Sequence, residues 1–163
     1  MSAILRKAEA TDAGQILEFI HELAVYENLQ HEVISTPAMV TEALFGPNPR
    51  VFCDIVERVE ESGAMPPAGF ALWFYNYSTF NGRHGIYLED LYVRPQFRRL
   101  GFGKMLLKSL AKRCEREGLM RLQWQVLDWN TPSITFYKGL GSKLHQEWIG
   151  CRVEGEALRA LAE

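Results

Sequence analysis

Hydrophobic and polar positions fall into two periods along this chain, and they switch back and forth. Residues 3–8 alternate and predict a first strand. Ile16, Leu17, Ile20, Leu23 and Ala24 recur at helical spacing, and Asp12 with Gln15 three residues on predicts a capping box that opens this helix. A second helix is expected at "STPAMVTEALF", with Thr36 as its cap and Pro37 at the first helical position, where a missing N–H removes nothing; "GPNPR" ends it. "VFCDIVERV" and "AGFALWFYNY" are rich in branched and aromatic residues and predict strands, with "EESGAMPP" as the loop between them. After the turn "STFNGRHG" comes a strand, "IYLEDLYV", then a long amphipathic helix from about Gly101 to Glu117 stopped by Gly118. "LMRLQWQVL" predicts another strand and "DWNTPSITFYKGLG" a loop and short helix. The tail suggests one or two more strands and a small terminal helix. The order β-α-α-β-β-β-α-β-α-β is that of an α/β (α+β layered) domain with a mostly antiparallel sheet, and 163 residues without a linker predict a single domain over 1–163.

Composition narrows this. Apolar content of 47% excludes a disordered chain, and no apolar run approaches the ~20 residues of a spanning helix, so no membrane is expected. The N-terminus lacks the pattern of a signal peptide, and three widely spaced cysteines fit free thiols in the cytoplasm better than a disulfide framework or a zinc site. The four scattered histidines suggest no metal. The net charge of −2 conceals a basic block: residues 94–121 hold nine Lys or Arg against two Glu, and the rest of the chain is acidic. That pattern predicts one polyanionic ligand and leaves room for a cationic one, while the acidic remainder argues against nucleic acid.

The basic block begins at a distinctive place. Arg98-Arg99-Leu100-Gly101-Phe102-Gly103 lies between a strand and a helix start, where the first N–H groups of the helix have no partner and the dipole adds about half a positive charge. Glycines at 101 and 103 permit unusual backbone angles, which predicts a nest of amides for a diphosphate, with Arg98, Arg99 and Lys104 adding charge. Just upstream, strand alternation puts Glu89 on one face with Tyr87 and Leu91 and puts Asp90 on the other. A buried carboxylate must be paired or used. Glu89 is a candidate base; Asp90 either ties down a neighbouring donor or meets a cation.

"VRPQFRRLGFGKMLL" resembles the acetyl-CoA-binding segment of the Gcn5-related N-acetyltransferase (GNAT) family. "YLEDLYV", "VLDWNTPSITFYKGLG" and "ELAVYENLQ" are similar to its spermidine/spermine–thialysine (diamine) branch, and the similarity runs along nearly the whole chain. The resemblance implies a mixed sheet of about seven strands, splayed in the middle and flanked by helices. It also implies acetyl-CoA as co-substrate, with the diphosphate on the amides of Arg99, Leu100, Gly101, Phe102, Gly103 and Lys104, and pantetheine along Leu91, Tyr92 and Val93. Asn130, Ser133, Phe136 and Tyr137 join this cofactor set, although Asn130 can equally be a helix cap.

An alkylammonium with a pKa near ~10.4 is neutral in only about one molecule in ~2,500 at pH 7, so attack on a thioester needs a base. The resemblance implies Glu89 for that role, through water. It implies Tyr137 as the acid that protonates the departing thiolate; otherwise Tyr137 is a core residue. Tyr26, Glu27, Ser78, Phe80, Glu89, Asp90 and Trp148 form the expected acceptor set. Ser78 and Phe80 stand where polyamine-preferring relatives have an acidic residue and a tryptophan, which predicts a short amine and poor use of spermine. Family relatives form homodimers with exchanged C-terminal strands, and Trp148 either reaches the partner's acceptor site or packs internally. A protein or peptide N-acetyltransferase, or a non-catalytic acetyl-CoA-binding module, are the alternative readings.

Overall fold

The computed structural model describes residues 2–163. They form two compact units, the first ending at Gln125 and the second running Val126–Glu163.

The first unit is built on a five-stranded sheet in sequential order: β1 (Ser2–Lys7), β2 (Phe52–Val59), β3 (Pro67–Ser78), β4 (Arg83–Val93) and β5 (Leu122–Gln123). All neighbours are antiparallel except β4 and β5. Between β1 and β2 lie α1 (Ala13–Glu27) and α2 (Pro37–Phe45), and α3 (Phe102–Glu117) precedes β5. On one face Phe70 of β3 and Tyr92 of β4 pack with Phe19 of α1, whose ring lies 5.3 Å from Phe70, and Ile16, Val40 and Leu44 complete that core. The opposite face meets α3, where Arg113 lies over the Trp73 ring at 4.8 Å. Trp73 donates its indole N–H to buried Asp54 (3.0 Å), which accounts for a carboxylate inside the sheet.

Thr36 caps α2 as its sequence predicts, its Oγ1 accepting from the Met39 N–H, and Gly118 ends α3 at φ 65°. The capping box at Asp12 and Gln15 does not form. Asp12 instead takes a bidentate pair from Arg6 (2.7 and 2.9 Å) and accepts from the Glu9 N–H, one turn earlier than expected. A fixed guanidinium outcompetes a helix amide for the same carboxylate.

The second unit contains α4 (Thr131–Gly139) and α5 (Gly155–Leu161). The strands expected in the tail are absent among the described residues, and the expected strand 119–127 shrinks to Leu122–Gln123, so the sheet has five strands rather than about seven. A strand's backbone groups need a ladder partner, and among the described residues 141–154 has none.

Candidate active site

The site begins with an irregularity in β4. Trp73 pairs with Leu88 and Leu72 with Asp90, which leaves Glu89 as one extra residue on β4, a β-bulge. The bulge resets the alternation. Asp90 joins Tyr87 and Tyr92 on the face that carries Phe70 and Leu72, contrary to the sequence expectation that it opposes Tyr87. Glu89 is exposed at the bulge, and Asp90 is the half-buried one of the two carboxylates. Burial, followed by the negative charges of Glu89 and Glu27, pushes the Asp90 carboxyl up to about 7. The nearby Tyr87 phenol is also raised, by burial and then by the Glu89 charge.

Asp90 lines a cavity of about 300 Å³ together with Ile20, Leu23 and Glu27 of α1 and Glu32, Ile34 and Ser35 of the connection to α2. Burial raises Glu27 as well. Carboxylates on apolar walls are chemically complementary to a cation with an aliphatic body. Tyr26 precedes Glu27 in the last turn of α1, which Asn28 ends at φ 61°. Glu32 and the 29–35 connection are the part of this cavity that sequence reasoning missed, because a short, exposed 3-10 turn at Gln30–Glu32 leaves no periodic signal.

The anion end is built at the start of α3. β5 pairs with β4 only at Ile86 and Tyr87, so beyond Tyr87 the two strands part and the rest of that β4 edge, through Val93, has no strand beside it. The chain then passes a 3-10 turn at Pro95–Phe97 and reaches two left-handed residues, Arg99 (φ 62°) and Gly101 (φ 86°), the latter the N-cap of α3. Alternating handedness turns successive N–H groups toward one point, an anion nest at a helix start. Gly103 is an ordinary helical residue, so the second unusual angle belongs to Arg99 and not to Gly103 as expected. Phe102 is buried, its ring 6.5 Å from Phe97, and this anchors the loop while leaving the main chain at its mouth. Lys104 is exposed on the first turn and Leu100 is half-buried.

Arg98 is placed differently from its expected role beside the anion. Its Nε donates to the Val93 carbonyl (2.9 Å), and its guanidinium lies over the rings of Tyr26 (4.9 Å) and Tyr92 (5.7 Å).

Ser78 and Phe80 are not brought to the carboxylates of their own chain. Ser78 is buried and its hydroxyl accepts from the Asn81 N–H (3.4 Å), closing the β3–β4 turn, whereas Phe80 is 95% exposed at its tip. Asp90 lies seven residues from the start of β4, about 23 Å along a strand.

In the second unit Asn130 is buried and caps α4, its Oδ1 accepting from the Ser133 N–H (3.3 Å). That is the helix-cap role of the two open to it. Tyr137 is buried on α4, its ring 5.3 Å from that of the exposed Phe136. Trp148 is 75% exposed, which does not fit internal packing.

Comparison with known proteins bears on the family and the fold. The profile of the acetyltransferase (GNAT) family matches residues 15–142. The chain is 39% identical over 168 residues to a thialysine N-epsilon-acetyltransferase of Mus musculus, covering 99% of this chain and 98% of that protein. It is 32% identical over 201 residues to an L-ornithine N5-acetyltransferase of Arabidopsis thaliana, covering 99% and 88%. Among solved structures, an integron cassette protein of V. cholerae superposes with a TM-score of 0.79 at 24% identity, covering 100% and 99% of the two chains, and shares the fold.

Proposed function

From the premise that this chain belongs to the acetyltransferase (GNAT) family, in its diamine branch, and is an amine N-acetyltransferase, we propose that it moves an acetyl group from acetyl-CoA to a short, lysine-like amine or diamine. The observation that carries the acceptor assignment is the small acidic cavity with Asp90, Glu27 and Glu32 on apolar walls. Its three carboxylates can partner a compact amine with one further charge, whereas a tetra-amine brings four ammonium groups to three acids. The names of the full-length relatives, which cite thialysine and ornithine, support the same class.

The residues of the first unit fit the co-substrate. The amides from Arg99 to Lys104, turned inward by the left-handed angles at 99 and 101, would hold the diphosphate, and the β4 edge up to Val93 would pair with the pantetheine amides. Bound acetyl-CoA supplies an acyl carbon activated by a thiol leaving group. Glu89, exposed at the bulge, has the access a water-mediated base needs, and its charge, joined by that of Asp90 once that carboxyl ionises, draws an ammonium toward it. We assign to Tyr137 the proton that the departing thiolate takes, an assignment that rests on the family resemblance; a phenol near ~10 and a thiol near ~8.5 are closely matched for that transfer.

Both units are read as one acetyltransferase domain, since the family profile crosses their boundary. The tail supports a homodimer with exchanged C-terminal segments: Trp148 (75%), Ile149 (87%) and Leu161 (73%) are exposed, and among the described residues the stretch around Trp148 pairs with no strand. In such a dimer Trp148 would contribute to the partner's acceptor site. The free thiols of Cys53, Cys114 and Cys151 suit a cytoplasmic protein. Among the described residues no helix is long and apolar enough to cross a membrane.

The deciding assay is thiol release from acetyl-CoA by purified protein with thialysine, ornithine, lysine, short diamines, spermidine, spermine and a peptide. Short amines are expected to give the highest kcat/KM. Spermine exceeding every short amine, or turnover with the peptide alone, would overturn the assignment.

A further inference from the structure

We propose that Arg98 is a positioning residue that couples the diphosphate loop to the acidic cavity, so that each ligand tightens the binding of the other. The inference rests on the functional reading above and adds the regulation of its site.

Three residues of α1 spaced one turn apart, Glu18, Glu22 and Tyr26, share one helix face. All three meet the segment that leads from β4 to the anion nest. Arg94 takes Glu18 (3.0 Å) and Glu22 (2.7 Å) and lies over the Phe19 ring at 4.9 Å, and its own side chain is only 16% exposed. The last rung is Arg98 on Tyr26, with Tyr92 beneath and the Val93 carbonyl fixing the guanidinium plane. Unlike Arg94, Arg98 is exposed, so this rung is the one that can loosen and reform.

Its position in the chain makes it a relay. Arg98 immediately precedes Arg99, whose left-handed backbone begins the nest; Tyr26 immediately precedes Glu27, which lines the cavity. An anion in the nest orders the backbone of 98 and 99. That holds the guanidinium over Tyr26 and so fixes the final turn of α1, with Glu27 on it. An amine then meets a cavity wall that is already ordered, and the saved ordering free energy appears as positive coupling. A phosphate ligand alone would predict no such link, because its loss weakens the anion equally whether or not an amine is present.

The test is calorimetric titration of free CoA, with and without saturating thialysine, which together form a complex that cannot react. In the wild-type protein thialysine is expected to tighten CoA about two- to fivefold, the range set by one exposed cation–π contact, and CoA to tighten thialysine by the same factor. Arg98→Met and Tyr26→Leu should each bring that factor to one, the double variant should lower it no further, and Tyr26→Phe, which keeps the ring, should preserve it. A wild-type factor of one overturns the inference, as does a factor that survives in Arg98→Met while CoA binding weakens equally in both conditions. Should the wild type acetylate thialysine yet show no coupling, only this inference falls; should it transfer acetyl to no small amine, the functional reading falls with it. The wild-type and Tyr26→Phe measurements stand even if a harsher variant fails to fold.

Discussion

Replacing Asp90 by Asn separates the stability of this site from its function. In the folded protein the Asp90 carboxyl sits at about 7, against an ordinary value of 3.8, because burial and the charges of Glu89 and Glu27 all disfavour ionisation. The folded state therefore binds this proton more tightly than the unfolded chain does. Well below pH 3.8 both states are protonated and Asp90 makes no difference. As pH rises toward 7 the unfolded chain ionises first, and stability is lost until the folded carboxyl has ionised too; above that it stays level. A difference of that size corresponds to at most on the order of 4 kcal/mol, and water entering the open cavity reduces it. Asn cannot ionise. The Asp90→Asn protein should already melt higher than the wild type by about a quarter of the full effect at pH 4.5, and by roughly 5–15 °C at pH 8.5 for a chain of this length. Thermal unfolding of both proteins from pH 4.5 to 8.5 without ligand is the measurement. A change in Tm that is the same at every pH would refute the reasoning, because it would mean that Asp90 is not held protonated by its surroundings. At pH 8 the same variant should raise KM for a diamine: a site residue that destabilises the free fold is retained for what it binds.

The other predictions probe separate parts of the site. Tyr137→Phe should lower kcat at least tenfold while acetyl-CoA affinity is nearly unchanged, as steady-state kinetics beside a binding titration will show; equal turnover would remove Tyr137 from the proton transfer. Gly101→Ala meets no atom within 4 Å, so its effect isolates the φ of 86°: about 1–2 kcal/mol of strain and weaker CoA binding, read by melting and calorimetry. Gly69→Ala is the opposite case, a Cβ that would lie 2.3 Å from the Tyr92 carbonyl oxygen, and backbone must move; a loss of about 1–3 kcal/mol is expected from urea unfolding. Light scattering at micromolar concentration should give twice the chain mass, and Trp148→Ala should lower acceptor kcat/KM without changing CoA affinity.

Legibility followed the range of the interaction. Thr36-Pro37 and Gly118 could be read because a cap is a contact between near neighbours, and Gly101 because a left-handed helix start favours glycine. The strand after residue 86 was visible in its apolar run, yet the facing of Asp90 was not, since a bulge arises from register with β3 and leaves no local mark. Arg98 shows the same limit: its motif position suggested an anion, and only the packing of α1 against β4 brought the Tyr26 ring beneath it. Asp12 was claimed by Arg6, a choice between partners that spacing cannot rank. The strands expected in the tail fail for a related reason, since a stretch of sequence does not carry its ladder partner with it.

One extra residue in β4 accounts for much of the chemistry that this sheet can support. Without the bulge, Asp90 would follow regular alternation onto the α3 side, among residues such as Leu88 and Trp73, where an unpaired carboxylate is costly. With it, Asp90 turns to the α1 side and meets Glu27 across a cavity open enough to admit a cation. The same residue leaves Glu89 at the irregularity, exposed to water and close enough to raise both Tyr87 and Asp90. Since β5 accompanies β4 only through Tyr87, the bulge lies just where strand pairing on that side has ended. An added residue is tolerated there because the ladder it would disrupt on that edge is already absent. The distortion and the open edge are thus two parts of one arrangement, in which β4 can present acidic side chains and vacant main-chain edge within a few residues of each other.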